Sequence, residues 1–127
     1  IEKLNVRRIQ HGTRAFEDDS LVDLLKEVDA TLDLCPISNL KLQVVPSMPE
    51  HPVRLFFDQG VRCTLSTDDT FSFGNTLTDE YEALAEYLAF TPAELSQIAK
   101  NGFEVADIDD DLRSQALIDI DQLVSAG

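Results

Sequence analysis

The stretch Val61-Arg62-Cys63-Thr64-Leu65-Ser66-Thr67-Asp68-Asp69 begins with an apolar, strand-like run, Val61–Leu65, and ends in two adjacent aspartates that open a loop. Neighbouring carboxylates at the tip of a buried strand resist desolvation and repel each other, so a cation or a proton donor should compensate them. A metal ion is the simplest such partner. The pair also suits a helix start, with one Asp as N-cap and the other as a first-turn acid.

Two similar units precede this stretch. Residues 5–10 read as a strand that ends at His11-Gly12, and residues 31–35 as a strand that Pro36 stops, shortly before Ser38-Asn39. Strands that recur about 25 to 33 residues apart, with helical patterns between them, predict βα units and a parallel sheet. Because ligands of such α/β folds bind at the carboxyl ends of the strands, these polar residues are candidate site residues.

Apolar residues recur with helical periodicity in the segments between the predicted strands and in the C-terminal part of the chain. Thr91-Pro92-Ala93-Glu94 is the clearest helix start, with a Thr cap, Pro at the first position and Glu at the third. Residues 36–52, which contain four prolines, are predicted to form a loop. The predicted helices cover residues 21–28, 53–59, 77–88, 92–101 and 110–124.

Composition limits the classes of function. The net charge of −14 argues against binding to a nucleic-acid backbone and fits a soluble, cytoplasmic protein. No apolar run approaches the roughly 20 residues that a membrane span needs. Cys35 and Cys63 lie in apolar runs, which predicts buried, reduced thiols and no cysteine-bound zinc. The polar start is not that of a signal peptide, and the absence of an initial Met suggests a piece of a longer protein or a processed product.

Each candidate site residue has a structural alternative. His11 can be a solvent-facing strand end, or a base or orienting group beside a ligand. Ser38 and Asn39 can simply tie down a loop through their side chains. His51, in a proline-rich segment, is predicted to be structural or exposed.

Three motifs in order resemble the C-terminal half of the adenosine/adenine deaminase family. They are Arg8-Ile9-Gln10-His11-Gly12, Cys35-Pro36-Ile37-Ser38-Asn39, and Leu65-Ser66-Thr67-Asp68-Asp69 with Phe73-Gly74. The resemblance covers nearly the whole chain. It implies the C-terminal part of a (β/α)8 TIM barrel, with about three βα units and C-terminal helices. Residues 1–127 would then be the C-terminal portion of a single deaminase barrel domain whose N-terminal half is absent.

The resemblance also implies a zinc site and a reaction. Asp68 matches the metal-binding aspartate of the family, Asp69 the residue that contacts the purine ring, and His11 the catalytic histidine that orients the attacking water and assists proton transfer. One Zn²⁺ per full-length site is implied, with most of its ligands outside this chain. The implied reaction hydrolyses the 6-amino group of adenosine or adenine to give inosine or hypoxanthine plus ammonia.

Several departures from the family pattern bear on activity. The chain has no HxH and no HxxE motif, Thr70 stands where many relatives have Pro, and Gln10 stands where Gly or Asp is commoner. The chain alone is therefore predicted to be inactive, and to need its missing half or to self-associate. Two alternatives remain open, namely a non-catalytic deaminase-like binding or regulatory module and an unrelated acidic α/β domain.

Overall fold

A parallel sheet of three strands lies at the centre of the protein. The computed structural model describes residue 1 and residues 3–126. The strands are Arg8–Gln10 (β1), Thr31–Leu34 (β2) and Arg62–Leu65 (β3), in the spatial order β1-β2-β3. Arg8 pairs with Thr31, and Leu34 pairs with Leu65. The three predicted strands and their parallel arrangement are therefore confirmed. Strand β1 begins three residues later than the pattern indicated, β2 ends one residue earlier, and β3 begins one residue later.

Helices connect the strands and extend the chain after β3. They are Asp19–Glu27 (α1), Pro36–Lys41 (α2), Val53–Asp58 (α3), Thr70–Phe73 (α4), Leu77–Leu88 (α5), Pro92–Glu104 (α6) and Asp110–Ala126 (α7), with short 3-10 helices at Thr13–Glu17 and Met48–Glu50. The predicted capping box is present at the start of α6, where Thr91 accepts from the Glu94 N–H and Glu94 accepts from the Thr91 N–H.

Two predictions about the helices are wrong, one about where a helix lies and one about where a helix ends. Residues 36–41 form α2 instead of a loop, because Pro36 stands at the start of this helix, where its missing N–H costs no hydrogen bond. Helix α6 does not end at Asn101-Gly102 but continues to Glu104. Asn101 is used inside the helix as an anchor, since its side-chain amide donates to the carbonyl of Cys63 (2.9 Å).

The hydrophobic core lies on one face of the sheet. Leu32 and Leu34 of β2 are fully buried there with Phe56, Leu84 and Ile98 from the surrounding helices. Each such side chain contributes on the order of 2 kcal/mol to folding by leaving water. Because side chains alternate along a strand, Thr31 and Asp33 point to the opposite face, which is polar.

Both cysteines are free and buried, as the sequence predicts. Burial raises the pKa of the Cys35 thiol to about 11 and that of Cys63 to about 12. Neither thiol therefore ionises near neutral pH, and both act as small apolar residues. Among the described residues, no helix is long and apolar enough to cross a membrane.

The outer edges of β1 and β3 pair with no further strand of the described residues. The α/β class and the parallel sheet are thus confirmed, whereas closure into a barrel remains a prediction. An open strand edge presents unpaired N–H and C=O groups to whatever lies beside it.

Candidate functional site

The carboxyl ends of the strands bring three of the candidate side chains together. His11 follows β1 directly, Ser38 lies on α2 just after β2, and Asp68 lies in the loop after β3. The Ser38 hydroxyl donates to Asp68 Oδ2 (2.6 Å), and Asp68 Oδ2 lies 3.8 Å from His11 Nε2. The side chains of His11 and Asp68 are 36% and 35% exposed. The structure therefore places these candidate residues beside one another at the carboxyl edge of the sheet, and their functional roles stay predictions.

The backbone at this edge of the sheet is held in an uncommon conformation. His11, Gly12 and Asp68 have φ angles of 59°, 67° and 57°, in the left-handed region. For His11 and Asp68, which carry a Cβ, this conformation costs on the order of 1 kcal/mol or more each, whereas Gly12 adopts it readily. Strained residues of this kind concentrate at functional sites. The His11 N–H is held by the carbonyl of Asp33 (2.8 Å), which extends the β1–β2 pairing up to the turn.

Behind His11 lies a buried pair, Asn39 and His51. The Asn39 side-chain nitrogen lies 3.0 Å from His11 Nδ1, and its oxygen lies 3.0 Å from His51 Nε2. The other ring nitrogen of His51, Nδ1, accepts from the backbone N–H of Val53 (3.1 Å). His51 is only 2% exposed. Of the two interpretations that the sequence left open for it, the structural one is therefore confirmed and the exposed one is wrong. Burial lowers the pKa of His51 to about 4.

The side chains of Ser38 and Asn39 form hydrogen bonds that hold neighbouring segments, as predicted, but they do so from helix α2 and not from a loop. Their side chains point from the first turns of this helix toward the ends of two strands, where they contact His11 and Asp68. Because the sequence pattern suggested a loop at this point, it did not indicate that a helix would place both side chains so close to the candidate residues.

A buried carboxylate below the site was missed by the sequence analysis. Asp33 in β2 is 2% exposed and accepts from Arg8 Nε (3.1 Å) and Nη2 (2.8 Å), from Gln10 Nε2 (2.7 Å) and from the Thr64 hydroxyl (2.6 Å). These bonds join all three strands directly beneath the site. A lone acid between two leucines in a buried strand, with Arg8 and Gln10 on the preceding strand, is the signal that could have found it.

A second missed residue, Glu80 of α5, holds the chain on two sides of the site. This fully buried carboxylate accepts from the Ile37 N–H at the start of α2 (3.0 Å) and from the Asn75 amide (2.7 Å). Asn75 also donates to the Thr67 carbonyl (3.2 Å), next to Asp68. Burial is the main cause that raises the pKa of Glu80 to about 7. In a sequence, Glu80 resembles an ordinary first-turn helix acid.

Asp69 caps a helix. Its carboxylate accepts from the backbone N–H groups of Phe71 (3.0 Å) and Ser72 (3.1 Å) at the start of α4, and from the Ser72 hydroxyl. These bonds, the Ser72 hydroxyl first, lower the pKa of Asp69. The helix-cap interpretation of the aspartate pair therefore applies to Asp69, whereas Asp68 faces Ser38 and His11. Contact of Asp69 with a purine stays a prediction.

The site can offer a metal ion part of a coordination shell. Asp68 Oδ1 accepts no hydrogen bond from the described residues, and its side chain is partly exposed, so it is free to bind a cation. Within residues 1 and 3–126, no group of three or more His, Cys, Asp or Glu side chains converges closely enough to hold a metal. Asp68 thus fits a metal as one ligand, and a complete site would need further ligands.

Known proteins are similar to this chain over nearly its whole length. The family model described as adenosine deaminase matches residues 1–123. An adenosine deaminase from Plasmodium falciparum is 38% identical over 117 residues, 92% of this chain and 32% of that protein. An adenine deaminase from Marinomonas is 40% identical over 113 residues, 89% of this chain and 34% of that protein.

Solved structures agree with these sequence matches. The crystal structure of an adenine deaminase from Arthrobacter aurescens superposes with a TM-score of 0.92 at 30% identity, over 96% of this chain and 37% of that one. An amidohydrolase from Burkholderia ambifaria with bound Zn shares the fold at a TM-score of 0.84 and 23% identity, over 98% of this chain and 36% of that one. This chain spans about a third of the length of these relatives.

Proposed function

Since the chain belongs to the adenosine deaminase family, we propose that it is the C-terminal part of a metal-dependent enzyme that hydrolyses the 6-amino group of adenosine or adenine. The products would be inosine or hypoxanthine and ammonia. The observation that carries the proposal is the convergence of Asp68 and His11, 3.8 Å apart, at the carboxyl edge of a parallel sheet. Relatives named adenosine deaminase and adenine deaminase support either purine.

The domain proposed for residues 1–127 is the C-terminal portion of one (β/α)8 barrel. Two features support it, the parallel order β1-β2-β3 with open outer edges and the relatives' threefold greater length. Eight parallel strands close such a barrel, so strands from the rest of the protein would pair with the edges of β1 and β3. Without them, this chain would self-associate through these edges.

Zn²⁺ is the proposed metal, with Asp68 as its ligand from this chain. The partly exposed carboxylate, with Oδ1 available, supports this role, as does the bound Zn in an amidohydrolase of the same fold. Bound zinc would supply a Lewis acid that makes hydroxide available from water near neutral pH. The Ser38 hydroxyl, which donates to Oδ2, would keep the Asp68 side chain oriented toward the ion.

His11 and Asp69 are proposed to act on the water and on the purine. The Nε2 atom of His11 faces the space beside Asp68, where it would orient the attacking water and assist proton transfer. Asp69 would contact the purine ring. Its carboxylate accepts the N–H groups at the start of α4, directly after Asp68 in the chain, which supports a fixed position next to the proposed metal ligand.

The proposal is tested by ammonia release from adenine and adenosine. Intact protein that carries these residues should release ammonia, and Asp68→Asn should lower turnover by at least about 100-fold, because the carboxylate charge that binds the metal is lost. Asp23→Asn, on the exposed side of α1, is the matched control and should leave turnover unchanged. The isolated 127-residue chain with added zinc should release none.

Two results would contradict the proposal. Full turnover in Asp68→Asn would show that Asp68 is not a required metal ligand. Robust turnover by the isolated chain would show that a complete site exists within it. If the intact protein binds a purine but releases no ammonia, the alternative of a non-catalytic deaminase-like module is favoured instead.

A further inference from the structure

A chain of hydrogen bonds runs from the protein backbone to the candidate site. It starts at the N–H of Val53, at the beginning of α3, and passes through His51 and Asn39 to His11. Its links measure 3.1, 3.0 and 3.0 Å. Both inner members are 2% exposed, so water does not compete for these bonds.

The direction of every proton in this chain follows from its first link. A backbone N–H can only donate, so His51 Nδ1 accepts the bond from Val53. A neutral imidazole carries one N–H, which must then be on Nε2, facing the Asn39 oxygen. The amide nitrogen of Asn39 consequently faces His11 Nδ1 and donates to it. The low pKa of His51, about 4, agrees with a neutral ring.

We propose that Asn39 and His51 are positioning residues that hold His11 in the tautomer with its proton on Nε2. This inference deepens the proposed function and rests on it. In this tautomer the ring presents an N–H, rather than a lone pair, to the space beside Asp68, 3.8 Å from Oδ2. Neutral His11 would therefore hold the attacking water through the water's oxygen, as a hydrogen-bond donor, which supports the orienting part of the role proposed for His11 rather than the proton transfer.

The arrangement also explains why a histidine is buried at position 51. A buried imidazole with no polar partners would be unfavourable, but here both ring nitrogens are satisfied. An amide between two imidazoles suits the task, because it offers an acceptor on one side and a donor on the other. Replacing the amide with a carboxylate would remove that donor while keeping the shape.

The first test reads the tautomers directly, by nitrogen NMR of intact protein labelled at the histidine rings. The His11 and His51 signals are identified by their loss in His11→Gln and His51→Gln. Both residues should show a protonated Nε2 and an unprotonated Nδ1. A protonated Nδ1 on His11 would overturn the proposal. No purine is needed, so this result is independent of whether the protein deaminates.

The second test inverts the tautomer. In Asn39→Asp, both side-chain oxygens accept, so His11 should move its proton to Nδ1, and kcat should fall about 10- to 100-fold with little change in KM. Asn101→Asp replaces another buried Asn that contacts neither histidine, and it should leave the His11 tautomer unchanged. A folded Asn39→Asp protein in which His11 Nδ1 is still unprotonated would overturn the proposal. Should that variant not fold, the spectrum of the unsubstituted protein decides.

Discussion

Asp33→Asn should destabilise the protein by about 2 to 4 kcal/mol. Asp33 Oδ1 accepts from Arg8 Nη2 and Thr64, and Oδ2 accepts from Arg8 Nε and Gln10. Asparagine has one oxygen and no charge, so either orientation of its amide loses one of the two Arg8 bonds and removes the charge from the others, while the Thr64 hydroxyl or the Gln10 amide can turn to accept from the new NH2 group. Bonds to a charged group contribute about 1.5–3 kcal/mol each. The estimate of about 2 to 4 kcal/mol covers one lost Arg8 bond and the weakening of the other bonds, less what Arg8, 50% exposed, regains from water.

The assay is urea unfolding of the intact protein, read as a shift of the midpoint at constant slope. Asp23→Asn is the matched control, because Asp23 pairs with Lys26 on the surface and its side chain is 75% exposed. This control should change the unfolding free energy by less than about 0.5 kcal/mol. If Asp33→Asn costs no more than Asp23→Asn, the cluster beneath the site does not hold the strands together, and the reasoning is refuted.

Two further predictions concern Glu80 and Gly12. The pKa of Glu80 is raised from 4.5 to about 7, so its stabilising contribution is present below pH 4.5 and is lost as the pH rises through 7. Between pH 4.5 and 7, the unfolding free energy of the unsubstituted protein should thus fall by about 2 to 3 kcal/mol relative to that of Glu80→Gln. If the difference in unfolding free energy between the two proteins stays constant over this pH range, the raised pKa of Glu80 is contradicted. Gly12→Ala should be at least about 1 kcal/mol less stable than Gly74→Ala in thermal unfolding. The two glycines have nearly the same φ angle (67° and 65°), so the backbone cost of the substitution is matched. Only at Gly12 would the new Cβ lie 2.8 Å from the Leu32 side chain. Equal losses of stability in the two variants would show that this clash with Leu32 is relieved at no cost.

The strand-end residues could be predicted because their placement depends on local rules. A strand pattern indicates where a strand ends, and parallel strands end at the same edge of a sheet. His11 and Asp68 therefore had to lie near each other once the sheet was parallel, and they do. The helix cap at Thr91 was predictable for the same reason, because its hydrogen bonds join residues three apart.

The supporting residues could not be predicted in this way. Asp33 makes its bonds across 23 to 31 residues of chain, Glu80 binds the Ile37 N–H across 43 residues, and Asn39 binds a histidine 28 residues away. No periodicity encodes such pairs, because they depend on how separate elements pack. The aspartate pair had two interpretations, and the structure assigned the cap to Asp69.

The sequence by itself determined the parallel direction of the strands, the family and the residues at the strand ends, because alternation, capping and motif spacing are properties of neighbouring residues. Only the tertiary structure decided which side chains are buried against one another. It showed the amide of Asn39 between His11 and His51, and the carboxylate of Asp33 beneath them. The physical reason is that a buried polar group requires a partner, and the packed fold alone determines which partner comes within hydrogen-bond distance.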